Sequence, residues 1–121
     1  MKPLIRVGFY REMRHGRPDD PSLLDAMQQV PDEDEGDVVG YLRSGVLLLA
    51  SPGIARDVLA PSGSVIGPPH ILTDGTYAWP GEFVHYVGRY HARPPSPFVA
   101  HMAANHWTVP GEIDVSSLQL G

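Results

Sequence analysis

The chain has 121 residues, with nine Lys or Arg against fourteen Asp or Glu for a net charge of −5; that length suits one domain over residues 1–121, and the charge disfavours nucleic-acid phosphates as partners. The absence of Cys excludes disulfides, thiolate catalysis and Cys-ligated zinc. The N-terminal MKPLIRVGFYREM lacks the apolar core of a signal peptide, and no apolar run approaches the roughly 20 residues of a membrane helix, so the expected compartment is the cytoplasm, with no membrane partner.

Thirteen Gly and thirteen Pro are scattered singly between apolar segments, a composition of short elements joined by tight turns. LIRVGFY, residues 4–10, alternates and predicts a first strand with Ile5, Val7 and Phe9 on one face. After the loop RHGRPDDP, Ser22 is placed to cap a short helix over Leu23–Gln29, with Leu23, Leu24 and Met27 as its apolar stripe and Pro31 beyond its end. PDEDEGD then sets Asp32, Glu33, Asp34, Glu35 and Asp37 close together, and their mutual repulsion predicts an exposed acidic loop over 31–37. Such a loop is either a solvated linker or a docking surface for a cationic partner.

DVVGYLRSG predicts a short helix or turn ending at Gly45, in the left-handed position. VLLLAS has no polar residue before Ser51 and reads as a central strand buried on both faces. IARDVLA and GSVIG are weaker strands that, with VLLLAS, make a meander. HILTDGTYAW carries the clearest local signal, because Asp74-Gly75 between β-formers predicts a two-residue hairpin turn. Leu72 then opposes Tyr77 and His70 opposes Trp79, all on one face. Pro80 fits the first turn of a helix running to about His91, with Glu82 near its positive end and Phe83, Val87 and Tyr90 as its buried stripe. A last helix is capped by Ser96, has Pro97 at its first position, and turns Phe98 and Met102 inward. A short strand around Trp107–Val109 and a frayed tail over 112–121 complete the chain.

Catalytic constellations are sparse. His85 and His91 are six apart and His101 and His106 five apart, not the three or four that put ligands on one helix face, so no metal or other cofactor is expected. No G-x-S-x-G or phosphate-loop glycine pattern occurs, and three Arg in the last 77 residues make no basic stripe for nucleic acid. His85, Arg89, His101 and Asn105 read as an outward polar surface.

YLRSGVLLLASPG, GPPHILTDGTYAWPGEFVHYVGRYH and PSPFVAHMAANHWTVP, between Tyr41 and Pro110, resemble a group of small, chiefly actinobacterial proteins, in size and style similar to immunity proteins of polymorphic toxin systems. The resemblance implies a protein partner and carries over no catalytic residues.

The expected fold is a single α+β domain: a mostly antiparallel sheet with a hairpin at 70–79 and two short C-terminal helices packed on it. The expected function is non-enzymatic protein binding, as a toxin-neutralising immunity protein or a secretion-associated accessory protein. Asp32, Glu33, Asp34, Glu35, Asp37, His85 and Arg89 would contact a basic toxin. The alternative is a small enzyme or ligand-binding protein with a pocket formed by His70, Asp74, Tyr77, Trp79 and His91.

Overall fold

The computed structural model describes residues 2–120; Met1 and the last residue of the predicted tail, Gly121, lie outside the described residues. The elements in chain order are β1 (Lys2–Arg6), α1 (Leu23–Ala26), α2 (Glu35–Arg43), β2 (Val46–Leu49), β3 (Ala55–Arg56), β4 (Val65–Gly67), β5 (Ile71–Thr73), β6 (Tyr77–Pro80), α3 (Phe83–Tyr90), α4 (Ser96–Ala104) and β7 (Leu118–Leu120). The main sheet runs β2-β5-β6-β1-β7, and β3 with β4 forms a separate ribbon. The β2–β5, β5–β6 and β3–β4 pairings are antiparallel, while β1 is parallel to both β6 and β7. This is the expected α+β class, with a mostly antiparallel sheet and the two C-terminal helices on it. No helix among the described residues is long and apolar enough to cross a membrane.

The hairpin strands β5 and β6 lie inside the sheet with both edges paired, and an apolar cluster packs on each of their faces. Tyr77 and Trp79 join Tyr41, Leu42, Phe83, Tyr86, Val87, Phe98 and Met102 in the larger core under the helices. Ile71 and Ala78 point the other way, onto a smaller cluster with Leu4, Phe9 and Leu118. Trp79 is fully buried, and its indole N–H donates to the Leu42 carbonyl at 3.1 Å, tying β6 to the end of α2. Gly45 makes that approach possible, because a Cβ there would sit 2.6 Å from the Trp79 ring. Close approach, not a left-handed cap, is therefore its role; Ser44 ends α2 in right-handed geometry.

Several predicted details are corrected by tertiary contacts. β1 stops at Arg6 because Gly8 takes φ +73, and Leu4 rather than Ile5 faces inward with Val7 and Phe9. A Cβ on Gly8 would lie 2.3 Å from the Phe83 ring, so the glycine lets the chain turn beneath the start of α3. α1 ends at Ala26 with Leu24 exposed; Ser22 does not cap it, since its hydroxyl turns to Glu12, whose carboxylate takes the Leu23 amide at 2.7 Å. Glu35 and Asp37 belong to α2, so only the start of the acidic segment is loop.

β2 is an edge strand with Leu47 and Leu49 half exposed, not a central one. The meander fails for the same reason: β3 and β4 pair with each other, away from β2. The hairpin forms, but with Leu72 opposite Trp79 and Thr73 opposite Ala78, because Asp74 Oδ1 accepts both the Thr76 and Tyr77 amides and widens the turn. The shift is by two, so the same side chains share each face. Pro80 closes β6, and α3 begins at Phe83 with Glu82 at its N-cap. Tyr86, not Tyr90, completes the buried stripe. Ser96 lies inside α4 behind Pro95 at the N-cap, whereas Phe98 and Met102 face inward as expected. Trp107 has φ +56 and no strand forms there. The strand lies instead at Leu118–Leu120, where β1 pairs with the expected frayed tail and Leu118 is buried.

Candidate functional site

The turn at Gly8 sends residues 9–17 back across the sheet toward the N-terminus of α3. Between that segment, the loop after β2 and the first turn of α3 opens a cleft of about 860 Å³, within the size range of small-molecule sites. Its walls are apolar: Phe9, Met13, Leu49, Ile54, Val58 and Ile71. Leu49, Ile54 and Val58 are three of the eight large apolar side chains left exposed on the described surface.

The charged lining is one-sided. Arg6, Arg14, Arg17 and Arg56 line the cleft, four of the chain's nine cationic side chains, with Glu82 as its single acid among fourteen. Arg6 is held in place by a two-pronged pair with Asp20, at 2.8 and 3.4 Å, and its guanidinium lies 4.2 Å over the Phe9 ring. Burial pushes the Asp20 carboxyl up, and hydrogen bonds from Arg6 and the Arg17 amide outweigh it, leaving the carboxyl below its usual range. Arg56 donates to the Gly63 carbonyl at 3.2 Å across the β3–β4 ribbon.

Glu82 is 5% exposed, and its Oε2 lies 3.0 Å from His15 Nε2. That hydrogen bond is the main cause of a raised His15 pKa, with burial and Arg6 pulling the other way. Glu82 Oε1 and Arg6 Nε are buried and meet no hydrogen-bond partner among the described residues.

The wall opposite is fixed from α3. Tyr86 hydroxyl accepts the Val58 amide at 3.0 Å and donates to the Arg56 carbonyl at 3.3 Å. Burial pushes its pKa up to about 12, so it stays a donor. Asp57 Oδ1 takes the Leu59 and Ala60 amides, and Oδ2 takes the Tyr90 hydroxyl and His85 Nε2, both at 2.7 Å. Burial raises this carboxyl, but these bonds together hold it below its usual range.

None of the five residues of the predicted pocket lines this cleft. His70 Nδ1 accepts the Ser51 amide at 2.9 Å, Trp79 is core, and His91 caps α3 with Nδ1 at 2.8 Å from Glu35. Asp74 and Tyr77 do come together, but with His101: Asp74 Oδ2 accepts the Tyr41 hydroxyl at 2.6 Å and meets His101 Nε2 at 3.0 Å, while the Tyr77 ring packs 4.9 Å from the imidazole. Asn105 donates to the Tyr41 hydroxyl at 3.1 Å. His101 bonds Asp74 directly and Asn105 reaches it through Tyr41, in a part-buried network that fixes the hairpin against α2 and α4 and draws both side chains away from the outward surface read from the sequence.

The acidic segment is largely engaged within the molecule. Arg93 Nη1 lies 2.8 Å from Asp32 and 3.3 Å from Asp34, and Glu35 pairs with His91. Of the remaining acids, Asp37 is exposed on α2, and Glu33 lies on the loop before it. His85 belongs to the Asp57 network, and the Arg89 guanidinium lies 5.4 Å over the Tyr90 ring.

Sequence reasoning missed the cleft residues, although Arg6, Arg11, Arg14 and Arg17 within twelve positions were a local basic signal inside an acidic chain. Among the described residues, no three His, Asp or Glu side chains are grouped to hold a metal ion. No protein-family model matches the chain, and no curated protein or solved structure does so either.

Proposed function

We propose that this protein is a non-enzymatic binding protein for an amphipathic organic acid, an apolar body with one anionic group, held in the cleft between the 9–17 segment and α3. One observation carries the reading: four of nine cations face an apolar cleft in a chain of net charge −5. An acidic surface repels anions in general, and a local cationic mouth on a low-dielectric wall reverses that preference at one place. The volume of about 860 Å³ admits a chain or ring system of drug size, with the acid group at the arginine rim. Docking of a basic toxin through the acidic segment is the weaker reading, because Asp32 and Asp34 already pair with Arg93 and Glu35 is already bonded to the His91 ring within the fold.

The test compares two dyes of matched apolar shape, 1-anilinonaphthalene-8-sulfonate and the neutral N-phenyl-1-naphthylamine. The sulfonate is expected to bind one site about tenfold more tightly, a difference of about 1.4 kcal/mol from the arginine rim. Arg14→Gln with Arg56→Gln should erase that preference while leaving the neutral dye unaffected. Equal affinity for the two dyes, or a preference that survives the double substitution, would overturn the proposal.

A further inference from the structure

Histidine is the side chain whose ordinary pKa puts its change of charge near neutral pH, and among the described residues that line the cleft His15 is the one histidine. It follows Arg14 directly in the chain, so their Cα atoms are about 3.8 Å apart, and both side chains line the cleft, with Arg17 two residues on. Two backbone bonds hold this segment in tight turns, the Met13 amide to the Tyr10 carbonyl at 3.0 Å and the Gly16 amide to the Met13 carbonyl at 2.9 Å. A charge on His15 therefore appears beside an arginine of the rim that the ligand's acid group is proposed to meet.

The groups around His15 come from several parts of the fold. Glu82, at the N-cap of α3, meets its Nε2 at 3.0 Å, and the Phe9 ring meets the imidazole edge-on at 5.8 Å. The His15 side chain is 32% exposed against 6% for Glu82, so solvent reaches the histidine while the carboxylate is the fixed member of the pair. Arg6, from β1, opposes protonation of His15 but is itself paired with Asp20. Arg14 and Arg17 flank His15 on its own segment, and Arg56 reaches the cleft from β3. Tyr86, from α3, stays neutral where histidine titrates, because burial pushes its pKa up to about 12. The four arginines, with Glu82 and the Asp20 bound to Arg6, amount to +2, and protonated His15 makes this +3.

Resting on the binding role proposed above, we infer that His15 is a proton switch in this cleft: the protonated imidazole strengthens the hold on the ligand's anionic group and deprotonation weakens it, so the acid is taken up together with a proton. A unit charge within a Debye length of the bound anion, at a rim partly open to water, changes its affinity by about fivefold. The hydrogen bond to Glu82 raises the His15 pKa above 6.5 against burial and Arg6, so affinity is highest below 6.5 and falls as pH rises through the raised value. Linkage requires the converse, that the bound anion raises the His15 pKa by the same factor, about 0.7 on the pH scale for fivefold.

The two dyes test this at constant ionic strength, since the sulfonate stays anionic and the naphthylamine neutral throughout. From about pH 5.5 to about pH 8.5 the wild type should lose about fivefold in affinity for 1-anilinonaphthalene-8-sulfonate and less than about twofold for N-phenyl-1-naphthylamine. His15→Gln should hold the sulfonate at the weaker level at every pH, and His15→Lys, which keeps a cation beside Glu82, at the tighter one. NMR of the histidine rings in the wild type should show the His15 midpoint rising by about 0.7 when the sulfonate saturates the protein. If the sulfonate is preferred to the neutral dye but its affinity is flat with pH, or falls equally in folded His15→Gln, the inference is wrong and the binding role stands. A parallel fall for the neutral dye traces the effect to loosening of the fold and also overturns the inference. Should neither variant fold, the wild-type ring titration decides alone, and a His15 midpoint unmoved by saturating sulfonate overturns it. Failure of the sulfonate to bind at any pH overturns the role and the inference together.

Discussion

Asp74→Ala is the substitution whose cost the structure defines best. The carboxylate is 3% exposed and is the common acceptor of the Thr76 amide (2.9 Å), the Tyr77 amide (2.7 Å), the Tyr41 hydroxyl (2.6 Å) and His101 Nε2 (3.0 Å). Hydrogen bonds to a charged group contribute about 1.5–3 kcal/mol each, but four on one acceptor are not additive. Thr76 and His101 regain water on truncation, and removing a buried charge returns part of its desolvation. The Tyr77 amide and Tyr41 hydroxyl stay buried, and Asn105 meets the Tyr41 hydroxyl through its N–H, so it would have to flip its amide to accept the orphaned proton. The net loss is about 3–5 kcal/mol. At roughly 3–4 °C per kcal/mol for a chain of this size, that lowers Tm by about 9–20 °C. Asp74→Asn keeps Oδ1 for the two amides and should lose only about 1–2 kcal/mol. Urea titration with circular dichroism, alongside calorimetry, measures both. Equal losses for Ala and Asn, or a loss under about 1 kcal/mol for Ala, would refute the shared-acceptor reasoning.

Gly75 has φ +94, and a Cβ added there would meet nothing nearer than Ile113 at 3.8 Å, so substitution encounters backbone strain rather than a clash. Gly75→Val should cost about 1–2 kcal/mol and Gly75→Asn less, read as urea midpoints; equal values would reject that cause. His15 has its pKa raised above 6.5, chiefly by the hydrogen bond to Glu82, so the stability it adds is fully present below 6.5 and disappears as pH rises through the folded value. The stability gap between wild type and His15→Gln should therefore be widest near pH 5.5 and close toward pH 8.5, and a gap that widened with pH would show the pairing to be wrong.

The parts of the fold legible in the sequence were those decided within about ten residues. Asp74-Gly75 announced the hairpin, and the apolar spacing of Phe83, Val87, Phe98 and Met102 announced which faces α3 and α4 bury. The register was hidden because it depends on Asp74 pointing inward, and Tyr41 and His101, far away in sequence, hold it there. VLLL misled because an apolar run has the same composition whether it is buried or lines a cleft; Leu49 does the second. The tail was unreadable locally, since β7 exists by pairing with β1 at the opposite end of the chain. The cleft joins residues near 6–17, 49–58 and 82–86, separations over which no periodicity operates.

Net charge was the most misleading number in the sequence, and the way the fold distributes its carboxylates explains why. Asp20, Asp57, Asp74 and Glu82 are buried, and each holds a cation or an imidazole: Arg6, His85, His101 and His15. Three of these pairings join a carboxylate to a histidine, so the acids are partnered largely without drawing on the arginines. Glu12 is likewise occupied, accepting the Ser22 hydroxyl and the Leu23 amide to start α1. Arg14 and Arg56 are consequently left at the mouth of the cleft with no carboxylate bound to them among the described residues. A chain with an overall negative charge thus presents a cationic opening at one place, because its histidines do the pairing that lysines and arginines would otherwise do. Binding of the sulfonate dye should accordingly weaken with salt as expected for attraction to a positive site, even though the protein as a whole is an anion. Fluorescence titrations at low and at moderate salt measure this, and an affinity that rose with salt would show that the dye meets the net charge of the chain rather than the arginines of the cleft.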